Sequence, residues 1–170
     1  MAVNMALPGC PVAELIQESI MGSYKNVTTK TTVSASDDAC SQLEELGNEC
    51  REIVDNAEGG LRETQRIQTF DETAGTLEGV SAPDVPECIA ELPITVITQQ
   101  STRKGRGESR NVRCQNEVAV LQACEAAAQE WYDDEANAEH EDRDDVDTFI
   151  TEIQNIIGDA ENCEFPGMFG

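Results

Sequence analysis

The sequence has little histidine, few aromatic residues and no long apolar run. It contains one histidine, His140, only 4% aromatic residues, and no apolar run long enough to cross a membrane. No phosphate-binding loop follows an expected strand, and no G-x-S-x-G element accompanies a serine. His140 stands between Glu139 and Glu141, a pattern typical of a solvated surface. We therefore expect no enzymatic activity, no cofactor and no metal centre.

Positive charge is also scarce. The 11 Lys and Arg residues face 34 Asp and Glu residues, so the formal net charge is −23. Such a charge disfavours nonspecific binding to nucleic acid or anionic lipid. The segment 101–113 nevertheless gathers five of the basic residues, Arg103, Lys104, Arg106, Arg110 and Arg113. We interpret these five as partner contacts, made with phosphates or with an acidic protein surface such as a neighbouring copy; a solvated loop tip is the third interpretation.

Cysteine is plentiful, but its spacing does not indicate a disulfide framework or a zinc motif. The seven cysteines are at positions 10, 40, 50, 88, 114, 124 and 163, and no C-x-x-C pair occurs. Within one helix Cys40 and Cys50 would be separated by about 15 Å of rise, too far to bridge. A signal peptide is not expected, since Glu14 and Gln17 interrupt the apolar candidate. We predict a reduced protein whose cysteines are mostly buried; a secreted, disulfide-containing protein is the alternative.

The remaining pattern indicates strands and amphipathic helices in one domain, 1–170. Two apolar-alternating runs, Leu92 to Gln99 and Val112 to Leu121, predict a long β-hairpin with the basic loop at its tip. In the first run, Ile94 and Val96 share one face with Thr98. The predicted fold class is α+β, with a small antiparallel β-sheet that has a long hairpin and is covered by amphipathic helices.

Other elements follow from periodicity and capping residues. A strand or extended N-terminal arm is predicted from Tyr24 to Val33 and a strand from Leu61 to Phe70. Helices are predicted from Pro11 to Gly22, from Ser36 to Glu58 and from Asp144 to Ile157, with one helical turn after Pro86. The helix that begins at Asp144 has the clearest apolar stripe, and we expect it to cover the sheet.

Two segments are expected to lie outside the packed elements. Residues 125–143 are strongly acidic around Trp131, which indicates a frayed helix or an exposed insertion. The tail 163–170 carries Phe165, Met168 and Phe169 with no element to hold them. We expect this tail to fold back on the body or to contact another subunit, so these three residues join the candidate partner contacts.

The order of elements from 92 to 157 resembles the tail-terminator and neck proteins of tailed bacteriophages. The resemblance lies in the strand Leu92-Pro-Ile-Thr-Val-Ile, a polar loop that ends at an arginine, a strand from Val112 to Leu121, and the helix from Asp144 to Ile157. It implies a small α+β virion protein without catalysis that forms a ring, commonly a hexamer, at the head-proximal end of the tail tube and joins the tail to the head.

The same resemblance implies the partners and the location. The partners would be further copies of the chain, other neck or tail proteins, and DNA in transient passage through the ring, with no membrane involved. Assembly would take place in the host cytoplasm and the product would reside in the virion. The residues themselves leave two alternatives open. These are a binding module for nucleic acid or an acidic partner that uses 101–113, and a secreted disulfide-containing protein.

Overall fold

The computed structural model describes residues 23–101 and 107–167. Its strands are β1 (Ser23–Thr31) and β2 (Pro93–Ser101). Its helices are α1 (Thr32–Asp55), α2 (Gln65–Leu77), α3 (Glu87–Ala90), α4 (Arg110–Asp133) and α5 (Arg143–Glu161), with 3-10 turns at Gly59–Glu63 and Glu135–Asn137. The predicted α+β class, a small antiparallel sheet with amphipathic helices around it, is confirmed.

The sheet consists of β1 and β2, which run antiparallel from the pair Ser23 and Ser101 to the pair Thr31 and Pro93. Both strands were expected from their β-branched, alternating residues, and both are confirmed. Ile94 and Val96 are buried on one face of β2, as predicted. Helix α4 packs against that face.

The long hairpin predicted for residues 92–122 is wrong in its second half. Residues 112–121 belong to α4, and β2 pairs with β1 instead. Ser109 caps α4, because its hydroxyl accepts a hydrogen bond from the amide of Val112 at 3.3 Å. Five of the six buried positions of α4 recur at helical spacing: Cys114, Val118, Leu121, Cys124 and Ala128. This spacing buries a continuous stripe, which the alternation of Val118 and Val120 alone does not reveal.

The strand predicted from Leu61 to Phe70 is also wrong. A 3-10 turn is followed there by α2, whose buried residues are Phe70, Thr73, Ala74 and Leu77. Their i, i+3, i+4, i+7 spacing places one face of α2 against α1. The short stretch 61–70 contains too few apolar residues to show this period, which becomes visible when the window extends to Leu77.

The remaining helices agree better with the predictions from the sequence. The helix predicted from Ser36 begins one turn earlier, because Thr31 accepts a hydrogen bond from the amide of Ser34 at 3.4 Å and acts as the cap. The turn after Pro86 is α3, and the helix predicted from Asp144 is α5. However, α5 packs mainly on α4 and not on the sheet, so that prediction is wrong. The helix predicted from Pro11 to Gly22 lies outside the described residues.

Residues 125–132 and the described part of the tail belong to the body, whereas residues 133–141 are mostly exposed, as predicted for an exposed insertion. Residues up to Asp133 complete α4, and Trp131 and Tyr132 pack against the core. The described part of the tail, residues 163–167, folds back on the body. Phe165 packs against the core, and the hydroxyl of Thr73 donates to the carbonyl of Glu164 at 2.9 Å.

None of the helices in the described ranges combines the length and apolar character that a membrane crossing needs.

Candidate functional site

Three of the eight predicted partner contacts lie in the described residues, and all three make intramolecular contacts. Arg110 donates through Nε to Oε2 of Glu49 at 2.9 Å, and Arg113 donates to the other oxygen of the same carboxylate. These pairs hold α4 against α1. Phe165 is half-buried against the core. The other five lie outside the described residues: Arg103, Lys104, Arg106, Met168 and Phe169.

The structure instead presents an apolar pair on the open face of the sheet. Val27 and Ile97 are direct partners across the two strands. Their side chains point away from the face that α4 covers, and they are 43% and 55% exposed. Apart from Leu61, no other large apolar residue among the described ones is as exposed. Apolar pairs opposite each other on a sheet normally pack against a further layer, so this face is a candidate interaction surface.

The edge of β1 adds unpaired backbone groups to this surface. The side-chain amide of Asn116 bonds both the N–H and the C=O of Gln99, at 2.7 and 2.9 Å, so these groups of Gln99 point away from β1. Pairs of facing residues alternate between bonded and non-bonded along an antiparallel ladder. The main-chain groups of Lys25, Val27 and Thr29 therefore point out of the sheet, where they have no hydrogen-bond partner among the described residues. Such an edge is a template for a further strand.

The two edges of the sheet differ. The edge of β2 is closed at Gln99 by Asn116 of α4. Pro93, which has no N–H, occupies another outward position on β2. β1 has no comparable cover within the described residues. The open face and the open edge of β1 are together called the sheet surface below.

The two strands of the sheet lie in parts of the sequence that contain no acidic residue, and β1 carries Lys25 and Lys30. The stretches 19–36 and 92–107 contain no acidic residue and carry Lys25, Lys30, Arg103, Lys104 and Arg106, a formal charge of +5. Since the whole chain has a net charge of −23, the remainder carries −23 − 5 = −28. Lys30 pairs with Asp38 at 2.8 Å on the exposed start of α1. Lys25 makes no ion pair within the described ranges.

This surface was not predicted from the sequence because it depends on which strands pair. β1 was recognised as a strand, but β2 was assigned to a partner that is helical. Val27 and Ile97 become neighbours only in the register of β1 with β2. The absence of acidic residues from both strands was a usable signal, because stretches without negative charge stand out in so acidic a chain.

The described cysteines form no disulfide, and all six are free thiols. Burial raises the pKa of Cys40, Cys50 and Cys114 to about 11. Protonated thiols are poor nucleophiles, so these three serve as small apolar residues of the core, as expected from the sequence. Cys10 lies outside the described residues.

Comparison of the chain with protein-family models, with curated proteins and with solved structures gave no match.

Proposed function

We propose that the chain is a non-catalytic assembly subunit whose copies join through the sheet surface into a closed ring. The observation that carries this proposal is the coincidence of three features on one sheet. These are the exposed Val27 and Ile97 pair, the edge of β1 that has no partner among the described residues, and two strands that carry two lysines and no acidic residue in a chain of −23. Each feature favours contact with a protein surface that is partly apolar and acidic.

A second copy of the chain supplies such a surface. Residues 125–161 contain 14 acidic residues and a single basic one, Arg143. The sheet surface of one copy and the acidic helices of the next are complementary in charge, whereas two sheet surfaces repel each other. A contact between two different surfaces is heterologous, and such contacts produce rings when the rotation closes. Charge therefore favours a ring over a two-fold dimer.

The resemblance to phage tail-terminator and neck proteins indicates where in a virion this ring would lie. We extend the proposal to a virion structural protein that forms a ring, hexameric by that resemblance, at the neck or tail terminus and joins the tail tube to the head. The strand β2 and the helix α5 support it, since both occur in the expected order. Residues 112–121 do not, because they are helical. An acidic lumen would let DNA pass without adhering.

The main competing function is a nucleic-acid-binding module that uses the basic residues of 101–113. The pairing of Arg110 and Arg113 with Glu49 weakens that alternative, because these two guanidinium groups already have a carboxylate partner. Only Arg103, Lys104 and Arg106 of the segment then remain to bind phosphates. The light-scattering experiment described next distinguishes the two functions when it is repeated with a duplex oligonucleotide.

The test is the mass of the full chain by light scattering, at low and high salt and with reductant. Wild type is expected to form an oligomer of defined size that dissociates as salt increases, because screening weakens the charge complementarity. Ile97→Glu is expected to be monomeric, since it replaces the exposed apolar contact with a charge that repels the acidic neighbour. Leu61→Glu is the matched control, because Leu61 is 62% exposed and lies outside the sheet. It should assemble like wild type.

A second variant examines the edge of β1. Val27→Pro removes an amide that points outward and is tolerated at a strand edge, so it should block assembly while the fold is retained. A monomeric wild type at every protein concentration and salt would contradict the proposal. Normal assembly of Ile97→Glu would contradict it equally. Oligonucleotide binding by a monomeric wild type would support the competing function.

A further inference from the structure

Three side chains from two distant parts of the chain converge beside the turn that leads into α5. Cys88 lies on α3, whereas His140 and Asp142 lie in the turn just before α5. One potential ligand atom of each residue, a sulfur, an imidazole nitrogen and a carboxylate oxygen, lies within 4.8 Å of the other two. Nδ1 of His140 is 3.9 Å from Oδ2 of Asp142. The proposed assembly function uses none of these groups.

We infer that Cys88, His140 and Asp142 bind a divalent transition metal ion, with zinc as the preferred ion and a water or external ligand at the fourth position. Zinc takes sulfur, nitrogen and oxygen ligands in a tetrahedron at about 2.0–2.3 Å, which separates the ligand atoms by roughly 3.3–3.8 Å. The three atoms therefore need to approach one another by at most about 1.0–1.5 Å. Because His140 is exposed and the other two are half-buried, small side-chain rotations provide this approach.

The ligand types select the class of ion. A thiolate and an imidazole favour zinc and its neighbours, whereas calcium and magnesium prefer sets of oxygen ligands. Three protein ligands with an open position are typical of zinc sites that bind a further molecule, while structural sites are closed by four. From the sequence His140 was assigned to a solvated surface, and its convergence with Cys88 is visible only in the fold.

The turn that carries His140 is held in place by several contacts. The imidazole packs edge-on against the ring of Trp131, with centroids 5.2 Å apart and planes at 81°. The main-chain amide of Asp142 donates to Nδ1 of His140 at 3.2 Å, so Nδ1 carries no proton, and a metal ion at this nitrogen takes the place of that hydrogen bond. Arg143 donates to the carbonyl of Tyr132 at 2.7 Å and stacks over its ring. These contacts fix the imidazole near the position a ligand needs.

The carboxylate of Asp142 beside Cys88 also favours a cation, because a divalent ion between the carboxylate oxygen and the sulfur compensates the negative charge. When the ion binds, the S–H bond of Cys88 breaks, a sulfur–metal bond forms, and one proton passes to solvent. No oxidation takes place.

The experiment uses the full chain, stripped with chelator and kept reduced, with Co²⁺ as the spectroscopic probe. One equivalent should give tetrahedral d–d absorption and a thiolate-to-cobalt charge-transfer band, and Zn²⁺ should displace both. The fluorescence of Trp131, the single tryptophan of the chain, should be quenched along the same binding curve because its ring contacts His140. The Ile97→Glu background keeps the measurement independent of assembly.

Variants assign the ligands. Cys88→Ser should lose the charge-transfer band. His140→Gln and Asp142→Asn should each weaken binding by at least about 10–100-fold, the loss that removal of a mere supporting group already causes. Glu141→Gln makes the same charge change beside the site, and Cys163→Ser removes a half-buried thiol elsewhere. Both controls should bind as wild type does.

Several results would overturn the inference. A charge-transfer band that survives Cys88→Ser, or that disappears in Cys163→Ser, would assign the metal to other thiols. Equal weakening by Asp142→Asn and Glu141→Gln would indicate nonspecific binding to the acidic surface. A wild-type chain with no charge-transfer band at one equivalent would exclude the site. Far-ultraviolet circular dichroism without metal shows whether each variant is folded, and the isosteric Asp142→Asn remains informative if Cys88→Ser is not.

Discussion

Glu117 is a half-buried carboxylate on α4 with an unusual environment. Burial raises its pKa from 4.5 to about 7. Lys30 on β1 and Arg113 on α4 act in the opposite direction, and Asp38 on α1 adds a small further increase. Between about pH 4.5 and 7 the folded chain binds a proton that the unfolded chain has released. The contribution of Glu117 to the free energy of unfolding is therefore greatest below pH 4.5 and is lost as the pH rises to 7.

Glu117→Gln should remove this pH dependence. The variant should match wild type near pH 4.5 and exceed it at pH 8, by on the order of 1–2 kcal/mol after allowance for solvent screening. Urea unfolding as a function of pH measures the difference. Glu130→Gln on the exposed side of the same helix is the control and should show no such trend. A constant difference between wild type and Glu117→Gln across this range would contradict the prediction.

At the scale of elements, α1 and α2 approach closely at one glycine. A Cβ atom on Gly47 would lie 2.8 Å from the amide nitrogen of Glu78 and 2.9 Å from two atoms of Leu77. Two of these three atoms are backbone, so the helices have to separate to admit a methyl group. Arg51 reinforces the same contact with a two-pronged bond to the carboxylate of Glu78, at 2.9 and 3.1 Å.

Gly47→Ala should destabilise the fold by about 1–3 kcal/mol, because overpacking outweighs the gain of about 1 kcal/mol in helix propensity. Gly75→Ala is the matched control. Gly75 lies inside α2, and a Cβ atom added there would have nothing within 4 Å, so this variant should gain about 0.5–1 kcal/mol. Chemical denaturation of both variants gives the comparison. A stabilised Gly47→Ala would mean that α1 and α2 are not held this closely.

The elements also show how far the sequence determines the fold. The strands at 24 and 92 and the helix at 144 were predictable, because each has one unbroken period and a clear beginning. Residues 112–121 were not, since Val118 and Val120 satisfy a period of two while Val118 and Leu121 satisfy a helical one. Burial against α1 and α5 decided between them, and that information is not local. The sheet surface and the Cys88 cluster depend on pairings between distant segments, which explains why the site could not be predicted.

At the scale of the whole molecule, self-repulsion and assembly respond to salt in opposite directions. A charge of −23 on 170 residues destabilises the compact state. The same asymmetry, a formal charge of +5 in the stretches 19–36 and 92–107 against −28 in the rest of the sequence, attracts neighbouring copies in the proposed ring. Salt weakens both effects, so an assembled sample would combine a more stable subunit with a weaker interface.

The Ile97→Glu variant separates the two effects, because it is expected to be monomeric. Its urea midpoint should rise as NaCl increases from about 10 mM to 1 M, since the screening length falls from about 30 Å to 3 Å. The rise should level off once that length is shorter than the spacing of surface charges. A continued linear increase would indicate ion exclusion instead of screening. A midpoint that falls with salt would mean that ion pairs such as those of Arg51 and Arg113 outweigh the repulsion of the excess carboxylates.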